Sequence, residues 1–133
     1  MLKIEVKDLL MDVDVNSRQG IQVISRAARV LTSLEGNPDG LSLSAIAKAV
    51  DLPRSTVQRI VYALALEGFL ISASPTSRVR LGPKLVSLGS AAKADIDRLL
   101  LPHMKNLSRE IEETVDLSMQ DGDMMVFIDQ VIA

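Results

Sequence analysis

A change of hydrophobic period within one short stretch constrains the fold of this chain more than any other feature. Residues 43–50 and 57–64 each place apolar side chains at i, i+3, i+4 and i+7, the pattern of an amphipathic helix. Behind Gly68 the period becomes that of a strand, with Val79 and Leu81 predicted on one face and Arg78 and Arg80 on the other. The sequence therefore predicts two helices in close succession and then a hairpin.

The helix ends carry their own signals. Ser42 is a candidate N-cap for the first of these helices, Pro53 fits the first turn of the second, and Gly68 supplies its stop. The four-residue stretch 51–54 joins the two helices. An earlier helix over residues 23–34 is predicted from one apolar stripe, formed by Val23, Ala27, Val30, Leu31 and Leu34.

The second half of the chain continues with helices and ends in a hairpin. Pro83 opens a helical stretch, and a longer one follows that Pro102 is expected to kink or split. Residues 114–120 alternate, and Asp121 with Gly122 forms a turn into residues 124–131. This last strand is apolar on both faces and needs cover on both, so we expect the sequence to be the front portion of a longer protein.

Charge is distributed unevenly. The chain has 15 Lys and Arg against 17 Asp and Glu, a net charge of −2. Residues 40–82 hold five basic side chains against two acidic ones, whereas residues 83–133 hold five against nine. Since contact with phosphate depends on local Lys and Arg, the acidic total does not exclude DNA binding by the first segment.

Two short helices, a tight turn and a basic hairpin are the organisation of a winged helix-turn-helix, whose second helix reads DNA. At about 100° per residue, Ser55, Arg59 and Tyr62 fall opposite the apolar stripe, and their donors and acceptors suit base edges and phosphates. The alternative is an ordinary solvent-exposed helix face, which is also polar. The combination of the turn, the polar helix face and the basic wing favours DNA binding. The candidate DNA-binding residues are Ser42, Arg54, Ser55, Thr56, Gln58, Arg59, Tyr62, Arg78 and Arg80.

The stretches LSLSAIAKAVDLPRSTVQRIVYALALEGFL and VRLGPKLVSLG resemble the isocitrate lyase regulator (IclR) family of bacterial transcription factors. That family typically has a Gly-Leu-Pro-Lys-Ser-Thr turn and a Tyr-Arg-Leu-Gly wing end. Here Asp51 stands in place of the Gly, Arg54 of the Lys and Val79 of the Tyr. Because Asp tolerates left-handed φ better than most residues, we expect the turn to be preserved.

The resemblance implies a mainly α fold: a winged helix-turn-helix, linker helices and a truncated α/β effector-binding domain. The expected divisions are an extension at 1–19, the DNA-binding domain at 20–82, a linker helix at 83–93 and the start of the effector domain at 94–133. It implies a repressor or activator that binds a double-stranded DNA operator as a homodimer or a tetramer. A small-molecule effector would bind in the largely missing C-terminal part.

Other functions are less well supported. The chain has no cysteine and one histidine, His103, so neither a metal site nor a cofactor is expected. No G-x-S-x-G nucleophile motif or phosphate-binding loop occurs, which argues against an enzyme. Neither an export signal nor a membrane span is recognisable, so we expect a cytoplasmic protein. The remaining alternative is a winged helix that binds another protein, which would expose apolar rather than basic side chains on the second helix and the wing.

Overall fold

The computed structural model describes residues 21–72 and 78–133. The predicted extension at 1–19 and the tip of the first hairpin lie outside these ranges. The chain divides into two compact units, whose described parts are residues 21–88, without the hairpin tip, and residues 89–133. Within the described ranges, no helix has the length and apolarity needed to cross a membrane.

Three helices build the first unit. They are α1 (Gln22–Ser33), α2 (Leu43–Val50) and α3 (Arg54–Leu66). Their facing sides form one core, in which Val30, Ile46 and Val57 have no exposed surface. The predicted stripe of α1 is wrong at its start, because Val23 is 62% exposed. The first turn of a helix can extend past the elements that cover the rest of it, and periodicity alone does not reveal this.

A small antiparallel hairpin completes the first unit. Strand β1 (Leu70–Ile71) pairs with β2 (Arg80–Leu81), and an isolated bridge adds Leu41 beside Val79. The buried Val79 attaches this wing to the core, as its predicted face requires. Leu81, predicted on the same face, is exposed instead. Alternation assigns a face to a residue but does not establish that another element covers that face.

Helix α4 (Pro83–Ile111) is continuous and contains Pro102, so of the two outcomes predicted for this proline, a kink or a split, the split is wrong. A proline within a helix removes one backbone hydrogen bond and costs about 3 kcal/mol. Met104, which follows Pro102, is buried in a second core with Val115 and Leu117, and Leu100 and Leu107 pack against it. Tertiary packing on both sides of the proline therefore offsets the local cost.

The second unit ends in the predicted hairpin. Strand β3 (Val115–Asp121) pairs antiparallel with β4 (Met124–Val131), with a register shift between Leu117 and Ser118. The turn consists of Gly122 and Asp123, one residue later than predicted, because Asp121 is the last residue of β3 and pairs with Met124. Gly122 takes the positive φ of 59° that the tight turn requires. The first half of β4, from Met124 to Phe127, is exposed.

Candidate nucleic-acid interface

The turn between α2 and α3 has the geometry predicted for it. Ser42 caps α2, with its side-chain oxygen accepting a hydrogen bond from the Ala45 N–H at 3.1 Å. Asp51 closes the helix in the left-handed region, at φ 53° and ψ 54°. Pro53 then stands at the N-cap of α3, one residue before its predicted position inside the first turn. The family's usual glycine is therefore replaced here by an aspartate in a conformation that favours glycine.

Helix α3 separates an apolar face from a polar one. Val57, Ile60 and Val61 are buried in the core. Five of the candidate residues on this helix are exposed, and Thr56 is half-buried between the two faces; the five are Arg54, Ser55, Gln58, Arg59 and Tyr62. We call Ser55, Gln58, Arg59 and Tyr62 the reading face. The first unit thus presents donors, acceptors and two cations along one side of a well-anchored helix.

Two arginines of the wing, Arg78 and Arg80, form what we call the arginine pair. Both side chains are exposed, and both donate a hydrogen bond to the loop that precedes α2. Arg78 donates from Nη1 to the Gly40 carbonyl at 3.3 Å, and Arg80 donates from Nε to the Asp39 carbonyl at 3.4 Å. The remaining N–H groups of each guanidinium are available to a ligand.

The residues that contact the arginine pair could not be found from the sequence pattern. Asp39 and Gly40 use backbone carbonyls, which leave no signal in residue type. The two backbone hydrogen bonds between Leu41 and Val79, of 3.0 and 2.7 Å, bring this loop beside the wing. Ser42 follows Leu41 in the chain. In addition to its predicted role in DNA binding, it has a structural role as the N-cap of α2.

Among the described residues, no group of three or more His, Cys, Asp or Glu side chains is placed to hold a metal ion. His103 and the acidic run Glu110, Glu112 and Glu113 are exposed on or just beyond α4. The polar face of α3 with its neighbouring wing remains the candidate site.

Comparison with known proteins agrees with this architecture. The model of the IclR helix-turn-helix domain matches residues 23–71, and that of the bacterial transcriptional regulator IclR C-terminal domain matches residues 89–133. The chain is 42% identical over 122 residues to the HTH-type transcriptional regulator TtgV of Pseudomonas putida, covering 92% of this chain and 47% of the relative. It therefore spans about half the length of this relative.

Solved structures give the same result. An IclR family transcriptional regulator from Brucella abortus matches with a TM-score of 0.68 and 25% identity, over 93% of this chain and 48% of that one. An IclR homolog from Microbacterium hydrocarbonoxydans, complexed with 4-hydroxybenzoate, matches with a TM-score of 0.55 and 25% identity, over 83% and 46% of the two chains. The matched families are regulators and not enzymes, as expected from the sequence. On these matches, the chain belongs to the IclR family of bacterial transcriptional regulators.

Proposed function

We propose that this chain binds a specific double-stranded DNA operator and serves as the DNA-recognition part of a transcriptional regulator. The observation that carries the proposal is the division of α3, whose buried side holds Val57 and Ile60 while its exposed side holds Gln58 and Arg59. A helix of this kind, preceded by a short helix and a turn, fits the major groove of B-DNA.

The two parts of the interface have different roles in this proposal. The reading face contacts base edges, where Gln suits adenine and Arg suits guanine. The arginine pair contacts the phosphate backbone, which gives affinity without sequence preference. Arg54 and Ser42, at the starts of α3 and α2, add contacts to the backbone.

Regulation by a small molecule belongs to the same proposal. The IclR C-terminal domain model matches residues 89–133, and the Microbacterium homolog is complexed with 4-hydroxybenzoate. We infer that an effector binds in the C-terminal domain and changes the affinity of the regulator for its operator. Because the operator lies in the cytoplasm of a bacterium, we expect the regulator to bind both its operator and its effector there.

Assembly as a homodimer is also inferred. Val86 and Leu88 on α4 are 71% and 45% exposed, although both are apolar. Leu100 and Leu107, further along the helix, pack against the core of the second unit. A two-fold dimer would present two reading faces to a palindromic operator.

One observation favours the alternative, a winged helix that binds another protein. Leu66 at the end of α3 and Ile71 in the wing are 70% and 49% exposed. However, α3 carries Arg54 and Arg59, and the wing carries Arg78 and Arg80. This cationic side supports DNA over an apolar protein surface.

Selection of bound sequences from a random DNA pool tests the proposal. The intact protein is expected to enrich one sequence motif, with two related half-sites if it binds as a dimer. Recovery of a pool with the composition of the input would contradict it.

A further inference from the structure

We propose that Gly40 is a positioning residue for DNA binding: its missing side chain lets the loop before α2 hold the arginine pair in position for phosphate. This inference rests on the proposed function and assigns a role to a residue outside the reading face and the wing.

The loop before α2 closely approaches the wing at Gly40. Gly40 is buried and has a φ of +80°. A Cβ atom at this position would lie 2.5 Å from the Val79 carbonyl oxygen, 2.9 Å from Cγ of Arg80 and 3.1 Å from Cβ of Arg78. Any side chain at position 40 would therefore collide with the wing at the bases of both arginines.

The wing cannot easily move away from this loop. The Val79 oxygen accepts a hydrogen bond from the Leu41 N–H at 3.0 Å, and the Val79 N–H donates to the Leu41 oxygen at 2.7 Å. Val79 itself is buried in the core. Relief of the collision would break this bridge or displace a core residue, so the arginine side chains would shift as well.

The backbone of the loop fixes one end of each arginine side chain. One N–H of Arg78 binds the Gly40 carbonyl, and one N–H of Arg80 binds the Asp39 carbonyl. A guanidinium has five N–H donors in a rigid fork, so one bond to the loop leaves others free for phosphate oxygens. An arginine already held in place loses less conformational entropy when it binds DNA.

A glycine that serves folding alone would show the same conformation, and the chain contains a control for that case. Gly36 has a φ of +79°, and a Cβ there would meet nothing within 4 Å. Gly36→Ala thus adds the same backbone strain as Gly40→Ala without the collision. Comparison of the two separates strain from loss of arginine positioning.

The test measures affinity of the intact protein for its selected operator across a salt series, with active concentrations determined for each variant. Each lost phosphate contact lowers the magnitude of the slope of log K against log salt by about one. Gly40→Ala is expected to lower it by up to about two and to weaken binding about tenfold or more at fixed salt. Gly36→Ala is expected to keep the wild-type slope and affinity once its folded fraction is accounted for. Equal slopes for Gly40→Ala and wild type would overturn the inference.

Arg78→Lys and Arg80→Lys provide a second test if Gly40→Ala does not fold. Lysine keeps the charge but lacks the fork that binds a carbonyl and a phosphate together. Both variants are expected to bind the operator less tightly than wild type, and wild-type affinity in both would overturn the inference. If the wild-type protein bound no DNA, the proposed function itself would fail, which is a separate outcome from equal binding by these variants.

Discussion

Lys93 of α4 donates a hydrogen bond from Nζ to Oδ2 of Asp129 in β4, across a distance of 3.3 Å. The same ammonium binds Oδ1 of Asp97, one helical turn further on, at 2.7 Å. The three side chains connect the helix of the second unit to its last strand. All three are partly exposed, so water and salt screen the interaction.

This connection predicts a pH dependence. The Gln130 N–H, followed by the Lys93 ammonium, stabilises the charged form of Asp129 and holds the pKa of that carboxyl below 3.8. The unfolded state therefore binds a proton at higher pH, and the stabilisation is present at neutral pH and lost as pH falls through the lower folded pKa. Bonding to Asp97 and Asp129 raises the pKa of Lys93 above 10.5 despite opposing desolvation, so its contribution is lost only in strong alkali.

We expect Asp129→Asn to increase hydrogen exchange of the β4 amides at about pH 7, and its difference from wild type to shrink near pH 2. Asp123→Asn, in the exposed turn of the same hairpin, is the matched control and should leave exchange in the paired part of β4 unchanged. A difference for Asp129→Asn that is the same at both pH values would contradict the assignment.

Replacement of Asp51 by Gly should stabilise the first unit. A non-glycine residue at φ 53° is strained, and a left-handed residue costs roughly 1–2 kcal/mol, less for Asp than for most others. Asp51→Gly is expected to raise the free energy of unfolding by up to about 1 kcal/mol in denaturant titration. Ala49→Gly, an exposed position inside α2, should lower it by about 1 kcal/mol. Destabilisation by both changes would show that the carboxylate of Asp51 matters more than its backbone.

Truncation of Ile46 should destabilise the same unit strongly. Its side chain has no exposed surface and lies in the core that carries α2 and α3. Ile46→Ala is expected to cost about 2–5 kcal/mol in chemical denaturation. The same change at Ile24, which is 63% exposed, should cost no more than about 0.5 kcal/mol. Similar losses at the two positions would argue against this core.

The intact protein should be a dimer at micromolar concentration by light scattering, with the exposed apolar start of α4 in the interface. Val86→Asp is expected to shift the equilibrium toward monomer, because it would bury an unpaired charge. Ser87→Asp places the same charge on the neighbouring exposed residue and is the control. A wild-type monomer, or an equal effect of both variants, would contradict this interface.

The sequence was sufficient for the parts of the fold that depend on local chemistry. The stripes of α2 and α3 and the Ser42 cap follow from residue type and spacing, and the structure confirms them. The left-handed Asp51 was expected from the resemblance to a family with glycine at that position, and it is confirmed as well. The polar side of α3 followed from the same periodicity, since it is what remains when Val57 and Ile60 are buried.

The features that the sequence did not predict depend on contacts between distant residues. Whether Val23 and Leu81 are buried or exposed depends on which other elements cover them. Helix α4 continues through Pro102 because neighbouring residues pack against the hairpin. The contacts of Arg78 and Arg80 with the loop before α2 use backbone atoms 38 and 41 residues away. Every residue has a backbone carbonyl, so residue type does not indicate which of them accepts a hydrogen bond.

The most direct test of recognition by α3 compares binding of variants to the selected operator and to scrambled DNA across a salt series. We predict that Gln58→Ala relaxes preference at particular base positions, at a cost of about 1–3 kcal/mol, and leaves binding to scrambled DNA unchanged. Arg78→Ala should weaken binding to both DNAs alike and reduce the magnitude of the salt slope by about one. Gln22→Ala, on the exposed start of α1, is the control and should behave as wild type. If Arg78→Ala changed base preference while Gln58→Ala weakened all sequences equally, the account of α3 as the reading helix would be contradicted.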